Sequence, residues 1–460
     1  MRAIVLAGGA GNRSHPLGVQ RPKSLFPLLG RPLIGWVLEA LADAGVPDAV
    51  IVTGPGEGGI RTALGDRAFG VALRYATQAS PRGQADALRA ARAEAGDGPV
   101  LVLNANDAYD PRVLARVVRS VESGGDVVLV GRRTTEPERF GIMVFDGDED
   151  SVHGAGDDAD PSAAGGPRLV GVVEKPPRQA APSDVAVVGV YGFSHAIWAA
   201  LDATPDGPTD DAFERAYGSL IARGSAKWLP YDGPFASFKH PWDVLAVGDV
   251  LFERARCRQI DPTARISDSA VIDGDVILAA GVRVFEHAVI RGPAYLGPGC
   301  IVGNGALIRG GVSLGAHCVV GYRTEISHSM IGDHTWTHMN YVGDSVIGDN
   351  CSLGAGTITA NLRFDEGPIR VAVGDEIVST GRPYFGVIMA DDCRTGCNAV
   401  LLPGRKIGPN SIVGPGVVLD ADLPPGMMAT LAGGAYTLRD NPIDVSALSR
   451  ADRMRAVAGS

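Results

Sequence analysis

The stretch "IVGNGALIRGGVSLGAHC", residues 301–318, carries an aliphatic residue at every sixth position. The spacing extends in both directions, and from Ile260 to Ile326 twelve consecutive positions hold only isoleucine, leucine or valine. The residue four places after each of them is small or medium-sized, as at Ala288 and Ala306. Three hexads make one triangular coil, and coils stacked at a strand spacing of ~4.8 Å bury the aliphatic positions inside the prism.

The phase of the repeat returns at Ile347 and Leu353, and again over 401–419. The pattern therefore predicts a coiled domain over residues 260–435, followed by a C-terminal tail over 436–460. Three of the six cysteines fall at the small-residue position, which predicts buried structural thiols: Cys300, Cys318 and Cys351.

Residues 337–386 depart from the repeat. A solenoid accommodates insertions as loops, and such loops often build the binding face. We therefore expect an inserted, functional loop here, with His338, Tyr341 and Asn361 as its chemically interesting side chains. The alternative interpretation is that a histidine and a tyrosine simply decorate a turn.

Residues 1–243 alternate predicted strands with predicted helices. The apolar runs "RAIVLAG", "AVIVTG" and "PVLVLNA" are typical of buried strands, and helical patterns lie between them. This alternation predicts a doubly wound, mainly parallel α/β sheet of the Rossmann-like kind. Residues 146–168 are acidic and rich in glycine and alanine, so we expect an exposed, mobile excursion between two strands. A linker helix is predicted over 244–259.

Composition limits the choice of partners. The formal net charge of −10 argues against a nucleic-acid-binding surface. No apolar run reaches the ~18 residues of a membrane span. The start "MRAIVLAGG" lacks the basic region and cleavage site of a signal peptide. We expect a cytoplasmic protein that binds small molecules, without nucleic-acid or membrane partners.

The stretch "LAGGAGNRSHPLGVQRPK", residues 6–23, directly follows the start of the first predicted strand. A strand, a glycine-rich turn and a helix together aim backbone N–H groups at a phosphate. Arg13 and Lys23 would supply the compensating positive charge. Taken alone, a glycine-rich turn also permits the simpler interpretation of a tight turn after a strand.

The whole stretch resembles the signature of the sugar-1-phosphate nucleotidylyltransferase family, L-A-G-G-x-G-T-R-L-x-P-L-T followed by P-K. The resemblance implies catalytic roles for Arg13 and Lys23. The nucleotide-binding residues that it implies at the turn are Leu6, Ala7, Gly8 and Gly9. The chain departs from the signature at three positions: Asn12, Ser14 and Gly18.

Further segments resemble motifs of this family in the expected order. "QASPRGQADAL" resembles the base-reading motif, which implies nucleotide binding by Gln78 and Gly83. "LVLNANDAYD" resembles the strand that ends in Gly-Asp, which implies that Asp107 binds Mg²⁺. "ERFGIMVFD" and "VVEKP" imply a set of sugar-phosphate-binding residues: Gly141, Glu174 and Lys175. The departures are Asn106 for a glycine, Val187 for an asparagine and Ser237 for a second metal carboxylate.

The hexapeptide half resembles a bifunctional group, the archaeal-type UDP-N-acetylglucosamine pyrophosphorylases that are also amino-sugar-1-phosphate N-acetyltransferases. The resemblance implies a left-handed parallel β-helix and a homotrimer with active sites between subunits. It implies that His338 is the catalytic base. The residues that it implies for the acyl-acceptor and CoA site are Arg309, Tyr341, Ala355, Asn361 and Arg370. Ser327 and Gly367 stand where this group has lysines.

The resemblance as a whole implies two activities. One joins an NTP, with UTP or dTTP favoured, to a sugar-1-phosphate and releases pyrophosphate with the help of Mg²⁺. The other transfers an acetyl group from acetyl-CoA to an amino-sugar phosphate. Two alternatives stay open: an acyltransferase whose N-terminal half binds nucleotide without turnover, or a nucleotidylyltransferase that has lost acyl transfer. The sequence names neither the nucleobase nor the sugar or cyclitol phosphate.

Overall fold

A computed structural model describes residues 1–9, 11–19, 21–56, 58–80, 82–147, 167–205, 207, 211–433, 435–442, 444 and 446. The chain divides into two compact units, Met1–Ala10 with Leu33–Phe235, and Gly11–Pro32 with Ala236–Ser460. We call them the sheet unit and the β-helix unit. The predicted domain limits at residues 243, 259 and 435 stay predictions. Most of the predicted excursion over 146–168, and most of the predicted tail beyond 442, lie outside the described residues.

The sheet unit is built on one twisted mixed sheet. Its strands follow the spatial order Arg168–Glu174, Gly141–Asp146, Val185–Phe193, Val100–Asn104, Arg2–Leu6, Asp48–Thr53, Val71–Thr77 and Arg67–Ala68. Val127–Arg133 pairs with Val185–Phe193 and with Ala226–Pro230. The strands from Val100–Asn104 to Val71–Thr77 are parallel, as the sequence predicted, because helical crossovers connect them. Val185–Phe193 is antiparallel to its neighbours.

Helices cover both faces of this sheet, so its central strands are apolar throughout. The helices of the sheet unit are α1 Leu33–Asp43, α2 Gly58–Leu64, α3 Gln84–Ala95, α4 Arg112–Glu122, α5 Ala196–Ala203 and α6 Ala212–Ile221. α3 packs Leu88 and Ala91 into the same core as Ile4 and Val50. Residues 100–103 are fully buried, as expected for a strand covered on both faces.

The β-helix unit has three parallel faces of short strands. The first face stacks Gln259–Ile260, Val276–Leu278, Ala294–Leu296, Val312–Leu314, Met330–Ile331, Val346–Ile347, Ile388–Met389 and Lys406–Ile407. The second stacks Arg265–Ile266, Arg283–Val284, Ile301–Val302, Val319–Val320, Ser352–Leu353, Arg394–Thr395, Ile412–Val413 and Met427–Ala432, and Ala435–Asp440 pairs antiparallel with the last of these. The third stacks Val271–Asp273, Val289–Arg291, Leu307–Ile308, Glu325–Ser327, Tyr341–Gly343, Ile358–Thr359, Val400–Leu401 and Val418–Leu419.

This arrangement is the predicted left-handed parallel β-helix. The aliphatic residues of the hexads fill its interior, and Leu296, Val302 and Ile308 are fully buried. The three cysteines predicted to be structural are buried in the same core, which confirms that prediction: Cys300, Cys318 and Cys351. Neighbouring coils exchange backbone hydrogen bonds along every face. The interior therefore forms one continuous apolar column.

The prediction of an inserted loop beginning at residue 337 is wrong. Ile326 pairs with Val342, and Val342 pairs with Thr359, so the coils continue with sixteen and seventeen residues instead of eighteen. Thr337 and Thr359 occupy inward positions and are buried. The six-residue repeat is not visible in the sequence of these coils, because their corners are shorter and threonines occupy some of the inward positions. The insertion starts only after Thr359 and contains an antiparallel hairpin, Arg370–Val373 with Glu376–Ser379.

Two other segments pack on the first face within the β-helix unit. Helix α7, Asp243–Arg254, contacts the strand Met330–Ile331. The segment Gly11–Pro32 contains two short 3-10 helices, Asn12–Ser14 and Lys23–Leu25, and the small hairpin of Pro27–Leu28 with Arg31–Pro32. This segment, which carries residues 11–23 of the signature stretch, thus groups with the β-helix.

Candidate active sites

The first strand marks the point where the strand order of the sheet reverses. Arg2–Leu6 lies between Asp48–Thr53 on one side and Val100–Asn104 on the other. Open α/β sheets bind ligands outside the carboxyl ends of their strands at such a switch point. The glycine-rich turn and the Asn-Asp segment therefore follow the two strands that flank the expected binding crevice.

The turn after the first strand approaches its neighbour closely. Ala7 donates its N–H to the carbonyl oxygen of Val52 at 2.8 Å. A Cβ atom on Gly8 would lie 2.9 Å from the backbone nitrogen of Gly54, closer than real Cβ atoms come. Glycine is therefore required at position 8. The predicted nucleotide-binding residues Leu6, Ala7, Gly8 and Gly9 leave this crevice edge without a large side chain after Leu6.

Asp107 is almost fully buried, and its carboxylate is held in place. Asn104 Nδ2 donates to Asp107 Oδ2 at 2.9 Å, and Gln84 Nε2 donates to Asn104 Oδ1 at 3.4 Å. A Cβ atom on Gly189 would lie 2.4 Å from Asp107 Oδ2, so a side chain at position 189 would displace this carboxylate. A fixed carboxylate is a suitable ligand for Mg²⁺. No cluster of three or more potential metal ligands is found in the described part of the chain.

Gln78 is buried, and its amide has one orientation. Its Nε2 donates to the carbonyl oxygen of Gly83 at 2.9 Å and to Asp86 Oδ2 at 2.9 Å. Both amide hydrogens are therefore used, and Oε1 is left as the acceptor. The structure thus brings together the two predicted base-reading residues, Gln78 and Gly83.

The predicted sugar-phosphate residues lie on neighbouring antiparallel strands. Gly141 pairs with Glu174, whose Oε1 forms an ion pair of 2.9 Å with the Lys175 ammonium. Burial raises the pKa of Tyr191, and the carboxylates of Glu214, Asp107 and Glu174 raise it further. Asp107 and Glu174 are therefore both within electrostatic reach of one phenol.

Lys23 is largely buried in the β-helix unit. Its ammonium donates to the carbonyl oxygen of Lys239 at 2.8 Å and lies 5.4 Å from the ring centroid of Phe238. Burial lowers the pKa of Lys23 to about 8; the charge of Arg13 adds to this effect, while Asp243 opposes it. Arg13 itself is exposed. The two predicted catalytic cations are thus close enough to influence one another.

Two departures from the signature compensate for each other. Ser14 is fully buried, and its Oγ donates to the carbonyl oxygen of Gly11 at 2.7 Å. A Cβ atom on Gly18 would lie 2.5 Å from that Oγ. The absence of a side chain at position 18 therefore makes room for the serine hydroxyl at position 14.

Ser237 ends the strand Phe235–Ser237, six residues before helix α7 begins at Asp243. Asp243, at the first position of that helix, accepts the N–H of Lys239 at 3.0 Å and that of His240 at 2.6 Å on the same oxygen, Oδ2. Asp243 thus fixes the backbone segment whose Lys239 carbonyl holds Lys23.

The third face of the β-helix gathers several predicted acyl-transfer residues. Arg309 Nη1 donates to Glu325 Oε1 at 3.0 Å, and Glu325 pairs with Tyr341 on the next coil. Burial raises the pKa of Tyr341, and a hydrogen bond with the Asn361 side chain opposes this. Arg309, Glu325 and Tyr341 therefore lie on three successive coils, and Asn361 lies on the next coil.

Asn361 belongs to a larger hydrogen-bonded chain. Its Nδ2 donates to Asp344 Oδ2 at 2.6 Å, and Asp344 Oδ1 lies 2.8 Å from His328 Nδ1. His328 Nε2 lies 3.0 Å from Asp249 Oδ1 on helix α7. Burial alone would lower the pKa of His328, but the hydrogen bonds to Asp249 and Asp344 outweigh it and raise the pKa to about 9. His328 is thus an imidazolium with both nitrogens occupied.

The other predicted acyl-transfer residues are spread more widely. His338 is exposed at the corner between the second and third faces, three residues before Tyr341. Ala355 lies at the same corner of the following coil, where its carbonyl oxygen accepts the N–H of Asn398 at 2.8 Å. Arg370 is exposed on the inserted hairpin. No hydrogen bond within the described residues joins these three to the Tyr341–Asn361 pair.

Comparison with known proteins identifies the family. Residues 2–227 match the family described as "Nucleotidyl transferase", and residues 386–421 match "Bacterial transferase hexapeptide (six repeats)". The "Bifunctional protein GlmU" of Methanococcus maripaludis (strain C7) is 34% identical over 92% of this chain and 95% of its own length. The chain belongs to the GlmU family.

One further relative and one solved structure are also similar to this GlmU-family chain. The "Bifunctional sugar-1-phosphate nucleotidylyltransferase/acetyltransferase" of Sulfurisphaera tokodaii is 26% identical over 92% of this chain and 98% of its own length. The solved structure of a UDP-glucose pyrophosphorylase complexed with UDP-glucose aligns with 55% of this chain and with 98% of its own length, with 20% identity and a TM-score of 0.47.

Membership of the GlmU family confirms the predicted enzyme class. The chain is a nucleotidylyltransferase in its N-terminal half and an acetyltransferase in its hexapeptide half, as the two family matches and the full-length relatives indicate. The alternatives with one inactive half have no comparable support. In the described part of the chain, no helix combines the length and apolar character needed to cross a bilayer.

Sequence reasoning missed four side chains that hold the predicted site residues of this GlmU relative: Asp86, Asn104, His328 and Asp344. Asp86 and Asn104 lie close in sequence to Gln78 and Asp107, so their proximity was a usable signal. His328 and Asp344 offered none. They occupy the same left-handed corner on successive coils, with φ of 42° and 45°. That alignment depends on a sixteen-residue coil, which the six-residue count does not predict.

Proposed function

We propose that the sheet unit and the signature segment join an NTP to a sugar-1-phosphate, releasing pyrophosphate, and that the β-helix acetylates an amino-sugar phosphate with acetyl-CoA. The observation that carries this proposal is the full-length similarity to bifunctional relatives, together with a fixed carboxylate at Asp107 and a largely buried cation at Lys23. We also propose a cytoplasmic homotrimer, as in the sequence-based expectation.

In nucleotidylyl transfer, the sugar phosphate attacks the α-phosphorus of the NTP and expels pyrophosphate. Positioning and charge neutralisation provide most of the catalysis in such a reaction. Arg13 and Lys23 would bind the triphosphate, and Glu174 with Lys175 would orient the sugar phosphate. Mg²⁺ bound at Asp107 would neutralise charge on the phosphates. Ser237 supplies no second carboxylate, so we expect the Mg²⁺ affinity of the free enzyme to be low.

In acetyl transfer, the ammonium of the acceptor must lose a proton before it attacks the thioester. An imidazole nitrogen can accept such a proton, and we assign this role to His338. Tyr341 and Asn361 would orient the acceptor, and Arg309 would bind its phosphate. Ala355 would contact CoA, and Arg370 would approach from the inserted hairpin. His328 does not substitute for the lysine missing at Ser327, because two carboxylates already occupy its ring nitrogens.

The fixed amide of Gln78 supports a preference for uracil or thymine. With both Nε2 hydrogens donated to Gly83 and Asp86, the free atom is Oε1, a pure acceptor. Uracil and thymine present an N3–H donor, whereas the corresponding atom of cytosine is an acceptor. UTP and dTTP are therefore the favoured substrates among the pyrimidine nucleotides, and CTP is rejected.

Asp86→Ala is expected to reduce the ratio of kcat/KM for UTP to that for CTP by at least ~10-fold, about the value of one lost hydrogen bond. The released amide would then rotate and donate to cytosine. Arg82→Ala is the matched control, because Arg82 pairs with the other oxygen of Asp86, at 3.4 Å, and its loss leaves the Gln78 contact in place. Equal use of UTP and CTP by the wild-type protein would contradict the assignment.

One assay panel tests the function as a whole. Pyrophosphate release is measured with each NTP, with and without Mg²⁺, and free CoA release is measured with acetyl-CoA, in both cases over a set of amino-sugar phosphates. We expect Mg²⁺-dependent pyrophosphate release with UTP or dTTP, and CoA release with at least one amino-sugar phosphate. Failure of either activity over the whole panel would reject the corresponding half of the proposal.

A further inference from the structure

The signature segment contains an arginine that binds the β-helix. Arg21 lies two residues before Lys23, and its Nη2 contacts Asp349 Oδ2 at 2.5 Å and Asp391 Oδ2 at 2.6 Å. All three side chains are largely buried, with exposed fractions of 21%, 30% and 16%. Charge-assisted contacts this short are among the stronger hydrogen bonds in proteins.

The two aspartates are themselves fixed by the backbone of the β-helix. Both follow strands of the first face, at the same corner of successive coils. Asp349 Oδ1 accepts the N–H of Asp333 at 2.9 Å, and Asp391 Oδ1 accepts the N–H of Asp349 at 2.8 Å. One oxygen of each carboxylate therefore serves the corner of the coil, and the other oxygen faces Arg21. The partner of Arg21 is thus a rigid, preorganised pair.

The segment is fastened to the first face on the other side of Lys23 as well. Leu29 donates its N–H to Ser313 Oγ at 3.1 Å, and Gly30 lies directly against the Tyr295 hydroxyl. Arg21 and Leu29 thus hold the ends of a short stretch that includes the helix of Lys23. The geometry of this stretch is set by the β-helix rather than by local sequence alone.

The charge balance makes Arg21 difficult to replace. Two carboxylates face one guanidinium, and burial raises the pKa of Asp391 while Arg21 lowers it. Without Arg21, the two carboxylates would face each other in a partly buried place, which favours separation of the segment from the corner. Lysine restores one charge, but its ammonium lacks the planar fork of arginine.

We propose that Arg21 is a positioning residue for nucleotidylyl transfer, and that Asp349 and Asp391 of the β-helix act through it. The two carboxylates fix the segment that presents Arg13 and Lys23 to the triphosphate. The inference rests on the proposed role of Lys23. It assigns to residues of the acetyltransferase half a function in the reaction of the other half.

Arg21→Gln in the full-length protein tests this assignment. We expect kcat for pyrophosphate release to fall by ~10- to 10²-fold, the usual result of misplacing a transition-state contact by about 1 Å, with KM for the NTP little changed. CoA release is expected to stay near the wild-type value, whereas the melting temperature should fall because one partner of a partly buried ion pair is removed. Arg21→Lys is expected to recover part of the lost kcat.

The matched control is Arg92→Gln. Arg92 also bridges two aspartates, Asp97 and Asp202, each at 2.8 Å, but it lies on the surface of the sheet unit. Its removal should leave pyrophosphate release unchanged. The double variant Asp349→Asn with Asp391→Asn should match the kcat of Arg21→Gln, and combining all three changes should lower kcat no further, because the residues act as one unit.

An unchanged kcat in Arg21→Gln would overturn the proposal. So would parallel losses of pyrophosphate release and CoA release, because they would indicate a purely structural ion pair. Lys23→Ala separates this failure from failure of the proposed function. If Lys23→Ala abolishes pyrophosphate release while Arg21→Gln does not, only the positioning role is rejected. If Lys23→Ala is also silent, the proposed function of the segment is rejected.

Discussion

His338→Ala is expected to lower CoA release by ~10²–10⁴-fold, the usual contribution of a general base, because the acceptor amine would lose the base proposed for it. The measurement is CoA release from acetyl-CoA with the amino-sugar phosphate that the assay panel identifies.

His287→Ala is the matched control for this prediction. His287 is another exposed histidine at the corner between the second and third faces, on an earlier coil. Its removal should leave CoA release unchanged, and pyrophosphate release should be unchanged in both variants. If His338→Ala acetylates at the wild-type rate, His338 is a surface residue of a turn, and the base must be sought elsewhere.

Lys23→Ala should reduce pyrophosphate release by at least ~10²-fold, the scale of one lost contact to developing charge. Because the pKa of Lys23 is lowered to about 8, its positive charge is present below that pH and lost above it. The kcat/KM for the NTP, which reports on the free enzyme, should therefore decline as pH rises through about 8. Lys23→Arg should remain charged and move the decline to higher pH.

Lys227→Ala provides the comparison for Lys23→Ala. Lys227 is a half-buried lysine of the sheet unit whose ammonium donates to Ser123 Oγ at 2.9 Å. We expect Lys227→Ala to leave both pyrophosphate release and CoA release unchanged. We also expect CoA release to be unaffected by Lys23→Ala. Equal loss of both activities in Lys23→Ala would point to a general structural defect and against a role in triphosphate binding.

The sequence allowed us to predict only some of the residues that contact the candidate site residues. Gln78, Gly83 and Asp107 lie in short motifs whose neighbours along the chain also become their neighbours in space. The departures at Ser14 and Gly18 were visible as differences, but not as a matched pair. Their relation needs the distance between a serine hydroxyl and a missing Cβ atom.

The sequence alone determined the two architectures. Aliphatic residues at every sixth position are buried together when the chain forms triangular coils, because each coil covers the apolar side of the next. Alternating apolar runs and helical patterns likewise require a sheet covered on both faces. Both patterns are local and regular, so each is visible as a periodicity along the sequence.

Only the tertiary structure decided which distant residues meet. The coils between Ile326 and Thr359 shorten at their corners, and this shift aligns His328 with Asp344. Arg21 reaches Asp349 and Asp391 across more than three hundred residues of sequence. Contacts of this kind depend on the summed length of every coil between the partners and on how a separate segment packs against a face. No local sequence pattern contains the length of the intervening coils or the packing of a separate segment. A hexad, in contrast, directly indicates which of its own positions is buried.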